Sequence, residues 1–404
     1  MFAKHFSLSN LPYGIATSET HYRPSIVTRV QDNVYFLWDI VEKGLLNDDI
    51  SASTAQTIQE PTLNAFAALP RKERQTFRSV LQRALKEQIS SIPTECIEHI
   101  DNVKMHLPIK VGEFTDFSCS KEHQYNSSEV GLGTRRLPPS FANYPPAYAG
   151  RASSIVVSGT PIKRPKGQYR NDKGEAIYEP TQALDYELEL ACIIGKPSKL
   201  GEPVPASQAL DHIFGIVLLN DWSARDMQAM EMLPLGPFSS KSFGTSISPW
   251  IVTIEALEPF RIPLPTRDMP VAQYLSVEDH LKSSYDIQLK AELLNEASLT
   301  KTICESKFES VYWSFEHFVA QQTVSGAALN NGDILGTGTI SGSTRESLGC
   351  LFELTRGGKE GYKVEGEDGE RTYFRDGDSI RISAFAGEEG AGVGFGDCTG
   401  LIIS

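Results

Sequence analysis

The stretch Leu184-Asp185-Tyr186-Glu187-Leu188-Glu189-Leu190-Ala191-Cys192-Ile193-Ile194 reads as one β-strand. Strand side chains alternate between two faces, so Asp185, Glu187 and Glu189 share one face while Tyr186, Leu188 and Leu190 share the other. So apolar a strand belongs in an interior. Neighbouring carboxylates repel one another there, and a divalent cation offsets the cost of burying them. The competing reading is the solvated outer face of an amphipathic strand, and Glu-x-Glu alone favours it.

Working outward, the chain from about His106 alternates short apolar runs with glycine-rich turns. Ser154 to Ser158, Ile213 to Leu219, Ile287 to Leu294, Asp333 to Gly336 and Ser379 to Ala384 read as strands. Asn331-Gly332-Asp333 and Asp376-Gly377-Asp378 read as turns. Helices are few, so residues 106–404 are expected to form one mainly β domain. Residues 1–105 differ. Val34-Tyr35-Phe36-Leu37-Trp38 reads as a strand, and a helical stretch runs from Asn64 to Ile89 with a break at Pro70. Phe77, Val80, Leu81, Ala84 and Leu85 make its apolar face; Arg71, Lys72, Arg74 and Lys86 are expected on the solvated side. This part carries no chemistry and reads as a small packing domain.

A chain of 404 residues exceeds one comfortable core, which agrees with two domains. The formal net charge of −13 argues against nucleic acid as a partner and leaves room for a local basic pocket facing an acidic metabolite. No run of 18 apolar residues exists, so no membrane-spanning helix is expected. The opening MFAKHFSLSNLPYG lacks a charged segment followed by an apolar one, so the expected location is cytoplasmic. Six scattered cysteines without a Cys-x-x-Cys pair imply reduced, buried thiols. Gly390-Ala391-Gly392-Val393-Gly394 has no room for a following βαβ unit and reads as a turn, not a dinucleotide site.

Two further stretches end apolar strands on acids. In Phe214 to Gln228 a strand runs into Asp221, where a helix is expected to begin; Asp221 is then either a helix N-cap or a site residue. Arg225 and Gln228 would share its helix face. In Phe114 to His123, Asp116 follows a short strand, a helix is expected from Ser118, and His123 would face the same cavity. Hard oxygen ligands from three strand ends suit Mg²⁺ or Ca²⁺ rather than zinc.

The runs Phe-Thr-Asp-Phe at 114–117, Gly-Arg-Ala-Ser-Ser-Ile-Val-Val-Ser-Gly-Thr-Pro-Ile at 150–162, Asn-Asp-Trp-Ser-Ala-Arg-Asp at 220–226, Pro-Leu-Gly-Pro-Phe at 234–238, Lys-Ser-Phe-Gly-Thr-Ser-Ile-Ser-Pro-Trp at 241–250 and Gly-Thr-Ile-Ser-Gly-Ser at 338–343 together resemble the fumarylacetoacetase family, full-length two-domain type. The resemblance implies a small N-terminal SH3-like barrel, a larger C-terminal β-roll domain and a homodimer. It implies metal-dependent hydrolysis of a carbon–carbon bond in a 1,3-diketo acid, within phenylalanine and tyrosine catabolism. Asp116, Glu187, Glu189 and Asp221 would hold Mg²⁺ or Ca²⁺, with Lys241 and Thr245 completing that environment. His123 would be the general base and Glu353 its orienting carboxylate. Arg225, Gln228 and Lys241 would stabilise developing charge. Tyr148, Gln228 and Thr339 would face the substrate, with Arg135 or Arg136 supplying a loop arginine.

The chain also departs from the family. Ser118 and Met232 stand where the family has substrate-contacting tyrosines, and Ala149 replaces a common histidine. Lost donors to a carboxylate cost about 1.5–3 kcal/mol each, so the substrate is open between fumarylacetoacetate and a related β-diketone. A paralogue performing decarboxylation or carbon–carbon bond formation through a metal-bound enolate is the alternative. A non-catalytic binding protein on this fold would predict loss of His123 or a metal carboxylate, and neither is lost.

Overall fold

Leu188–Ile194 lies inside an eight-stranded sheet, paired antiparallel with Ile213–Asp221 on one side and Ile334–Gly336 on the other. The computed structural model describes residues 3–46, 50–87, 91–267, 269–295, 300–364, 367–390 and 392–404. From Ile334–Gly336 the sheet continues through Phe114–Phe117 to Ala147–Ala149; from Ile213–Asp221 it continues through Thr245–Ile247 to Ile155–Val157. A five-stranded sheet runs in the order Thr300–Lys307, Ile287–Leu294, Ser379–Ala386, Val393–Ile403, Ile162–Lys163. Another, antiparallel throughout, runs Ile97–His99, Asn33–Phe36, Ser25–Val30, Tyr13–Thr17, Lys104–His106. The chain is mainly β.

Both faces of the large sheet are covered, which explains its near-continuous apolar strands. Leu188, Leu190, Cys192, Ile194, Ile216 and Leu218 join the core shared with the second sheet. Ala191, Ile193, Val217, Leu219, Ile247 and Phe114 point the other way, into a core shared with Tyr13, Phe66, Phe77 and Leu81 of the N-terminal part. Tyr13 reaches across by backbone bonds to Ile251, and its ring stacks on Phe214 at 6.2 Å.

Several local expectations shift. The strand expected over Val34 to Trp38 stops at Phe36; Leu37 and Trp38 open the helix Leu37–Glu42, because Leu37, Ile40 and Val41 bury one helical face. The helical stretch divides at Pro70 into Asn64–Ala68 and Arg71–Glu87; Ile89 lies outside the described residues. Arg74 is not on the solvated side: it is buried with its guanidinium 5.3 Å over the Phe214 ring, as an amphipathic side chain covering apolar surface. All six cysteines are buried and free. Among the described residues no helix is long and apolar enough to cross a membrane.

Candidate active site

The apolar face packed on the N-terminal part turns acidic at one end. Asp116 has the parity of Phe114, Glu189 that of Ala191 and Ile193, Asp221 that of Val217 and Leu219, and Thr245 that of Ile247. Strand register then brings them side by side, with Asp221 opposite Thr245 and Asp116 opposite both Gly336 and Tyr148. Asp116, Glu187, Glu189 and Asp221 offer carboxylate oxygens within 4.8 Å of one another, all buried. Gly336 leaves the space they occupy: a Cβ there would lie 3.0 Å from Asp116 Oδ1 and 3.2 Å from Glu189 Oε2.

Two cations enter the cluster. Lys241 Nζ lies 2.6 Å from Glu187 Oε2 and 2.7 Å from Asp221 Oδ2. Arg225 Nη1 lies 2.8 Å from Glu187 Oε1. Tyr148 donates to Asp221 Oδ2 at 2.9 Å and Thr245 to Asp221 Oδ1 at 3.0 Å. Burial opposes the Glu187 charge, but Lys241 and Arg225 hold its carboxyl well below the usual range. The outcome at Asp116 is opposite: burial and the Asp221 charge push it up to about 8. Burial, then Asp116 and Glu187, raise Glu189 as well.

These oxygens fit a divalent cation. Asp116 Oδ1 and Glu189 Oε1 are buried without a hydrogen-bond donor, as Arg225 Nη2 and Thr339 Oγ1 are buried without an acceptor or donor. Buried polar atoms are nearly always paired, so carboxylate oxygens without donors beside raised pKa values mark missing positive charge.

Beside the cluster stands a His–carboxylate pair. The helix expected from Ser118 begins three residues later, as Lys121–Leu132, because Ser120 is its N-cap and accepts from the His123 backbone. His123 Nδ1 lies 2.8 Å from Glu353 Oε2. Glu353 also accepts from Ser341 Oγ at 2.7 Å and Asn126 Nδ2 at 2.9 Å. Burial opposes its charge, but His123 and these donors hold its carboxyl below the usual range. Asn126 and Ser341 escaped the sequence reading; Asn126 sits three residues after His123, a spacing that places both on one helix face. Glu353 itself lies on the four-residue helix Leu351–Leu354, with its side chain buried.

Asp185 leaves the face assigned to it. The strand is interrupted between Asp185 and Leu188, and Asp185 accepts from the Leu351 and Phe352 backbone at 2.7 and 2.9 Å and from Arg225 Nε at 2.8 Å. It thereby caps the helix bearing Glu353 and fixes Arg225. Asp221 does not start a helix either: it is the last residue of its strand, and the helix begins at Arg225. Arg225 Nη1 donates to Gln228 Oε1 at 3.0 Å.

Of the residues expected around the substrate, Tyr148 and Gln228 join the cluster through Asp221 and Arg225. Ser118 Oγ accepts from Gln124 Nε2. Arg135 is tied to Asn126 Oδ1 at 2.7 Å and Glu122 Oε2 at 2.9 Å, whereas the Arg136 backbone is held by Ser128. Met232 is 47% exposed just past the Arg225–Glu231 helix.

Residues 113–401 match the family described as fumarylacetoacetate (FAA) hydrolase C-terminal, and residues 9–108 the family described as fumarylacetoacetase N-terminal. The chain is 41% identical to the fumarylacetoacetase of Arabidopsis thaliana, over 99% of this chain and 96% of that one. It is 38% identical to that of Rattus norvegicus, over 98% and 96%. Among solved structures, a fumarylacetoacetate hydrolase from Exiguobacterium antarcticum aligns with a TM-score of 0.54 at 17% identity, over 98% of this chain and 99% of that one, a likeness of fold.

Proposed function

Because the chain belongs to the fumarylacetoacetase family, we propose that it hydrolyses fumarylacetoacetate, or a closely related 1,3-diketo acid, giving fumarate and acetoacetate from the former. The observation that carries this reading is the His123–Glu353 pair beside the carboxylate cluster: Asp185 holds both the helix that bears Glu353 and Arg225, the cation on Glu187. A divalent cation, Mg²⁺ or Ca²⁺, held by Asp116, Glu187, Glu189 and Asp221 supplies Lewis-acid polarisation of the diketone oxygens.

Glu353 accepts a hydrogen bond from His123 Nδ1, which leaves Nε2, 3.3 Å from Ser127 Oγ, as the nitrogen that takes a proton from water. The hydroxide adds to a substrate carbonyl carbon. Collapse of the tetrahedral adduct breaks the carbon–carbon bond and leaves a carboxylic acid and a carbanion equivalent, which His123 reprotonates. Lys241 and Arg225 place positive charge beside the oxygens where negative charge develops, and Gln228 offers a neutral donor. Asp185 positions both Arg225 and the helix that carries Glu353. Tyr148 and Thr339 line the substrate side, and Arg135, linked through Asn126 to Glu353, is the better placed of the two loop arginines.

The reading also takes the N-terminal five-stranded sheet as an SH3-like barrel, the remainder as a β-roll, and the enzyme as a cytoplasmic homodimer; sedimentation tests the last. The relatives favour neither decarboxylation, nor carbon–carbon bond formation, nor a non-catalytic role. The test is the loss of diketone absorbance on mixing protein with fumarylacetoacetate, with Mg²⁺ and with chelator. Fast loss that chelator abolishes supports the reading; no turnover by folded, cation-loaded protein overturns it.

A further inference from the structure

A second set of donors lies outside the carboxylate cluster. His123, Cys350 and Glu353 offer ligand atoms within 4.8 Å of one another. His123 Nδ1 and Cys350 Sγ approach the same carboxylate oxygen, Glu353 Oε2, at 2.8 and 3.2 Å. Cys350 and Glu353 are buried, and the His123 side chain is 12% exposed, so the set opens to solvent at the imidazole. An imidazole nitrogen, a thiol sulfur and one carboxylate oxygen make a donor set for a borderline-soft ion, whereas the four carboxylates suit a hard one.

We propose that His123, Cys350 and Glu353 form an inhibitory zinc site, distinct from the carboxylate cluster and selective for softer ions. Charge balance favours it: the Glu353 carboxylate and a Cys350 thiolate together neutralise one Zn²⁺, so the occupied site carries no net charge in a buried place. Binding releases one proton, from the Cys350 thiol, to solvent. The Nδ1 proton of His123 cannot remain on a coordinating nitrogen, so it moves to Nε2. That nitrogen is the one left to accept a proton from water, and the base is disabled without displacement of the hard cation. The inhibition rests on the role of His123 proposed above; the binding does not.

The test pairs two readouts on the full chain saturated with Mg²⁺. Zinc is titrated into wild type and Cys350→Ser, each rate taken relative to its own zinc-free rate; serine keeps a donor to Glu353 while removing the soft ligand. The inhibition constant is expected to rise by about tenfold or more in the variant, since even second-sphere losses cost that much affinity. In parallel, Co²⁺ is titrated, and a thiolate-to-cobalt absorption band is expected in wild type, absent in Cys350→Ser and weakened in His123→Gln. The band requires no turnover, so it separates this proposal from the assigned reaction. No difference band between wild type and Cys350→Ser, or equal zinc sensitivity of the two, overturns the proposal.

Discussion

One sheet face carries two halves with opposite chemistry. Along the same strands, Phe114, Ala191, Ile193, Val217, Leu219 and Ile247 pack against the N-terminal part, while Asp116, Glu189, Asp221 and Thr245 occupy the other end at the same parity. The apolar half is finished by the protein itself. The acidic half is not: Lys241 and Arg225 answer part of its charge, and two carboxylate oxygens stay without donors. The contrast teaches that the N-terminal part contributes by sealing half of a face, so that the remaining half can keep buried, unneutralised acids in fixed positions.

Substitutions should separate the halves. The largest expected effect falls beside the acidic half: His123→Ala lowers kcat by about 10²–10⁴-fold, the range for a general base, with cation binding retained in calorimetry. Ile193→Ala does the reverse in the apolar half. Denaturant unfolding should show about 2–5 kcal/mol of lost stability, with kcat per folded molecule nearly kept. Glu189→Gln should weaken cation affinity by about tenfold or more without destabilising the metal-free protein, because the lost charge had no donor at Oε1.

A pH series sharpens the same contrast. Asp116 moves from its ordinary 3.8 up to about 8 on folding, chiefly by burial and then by Asp221. A raised carboxyl contributes stability that is fully present below the unfolded value and lost as pH climbs to the folded one. Metal-free protein should therefore lose up to about 1.4 kcal/mol per pH unit across that window from this group, and no more from it above about pH 8. Thermal melts with chelator should show the fall, and melts with saturating cation should not. The smallest effect is expected at Met232: exposed past its helix, Met232→Ala should leave stability within about 0.5 kcal/mol and act on KM rather than kcat.

Strand alternation made much of this legible in advance. Glu187 and Glu189 meet in one cluster as expected, although Glu187 lies in the interruption before Leu188, and Asp116 and Asp221 join them from separate strand ends. Asp185 broke the pattern because the strand is interrupted before Leu188 and its carboxylate satisfies two helix N–H groups instead, a tertiary pairing invisible along the chain. Arg74 was placed in solvent because an arginine covering an aromatic ring reads in sequence like any charged residue. The starts of the helices at Lys121 and Arg225 fell later than expected, since strand ends that carry acids resemble N-caps.

The most direct test of the central claim is calorimetric titration of metal-free protein with Mg²⁺ and with Ca²⁺ at pH 7, in two buffers of different ionisation enthalpy, beside Glu189→Gln. One cation per chain, bound with proton release and far more weakly by the variant, is the predicted result. No binding to folded protein, or equal binding by wild type and variant, would contradict an acidic half-face that a divalent cation completes.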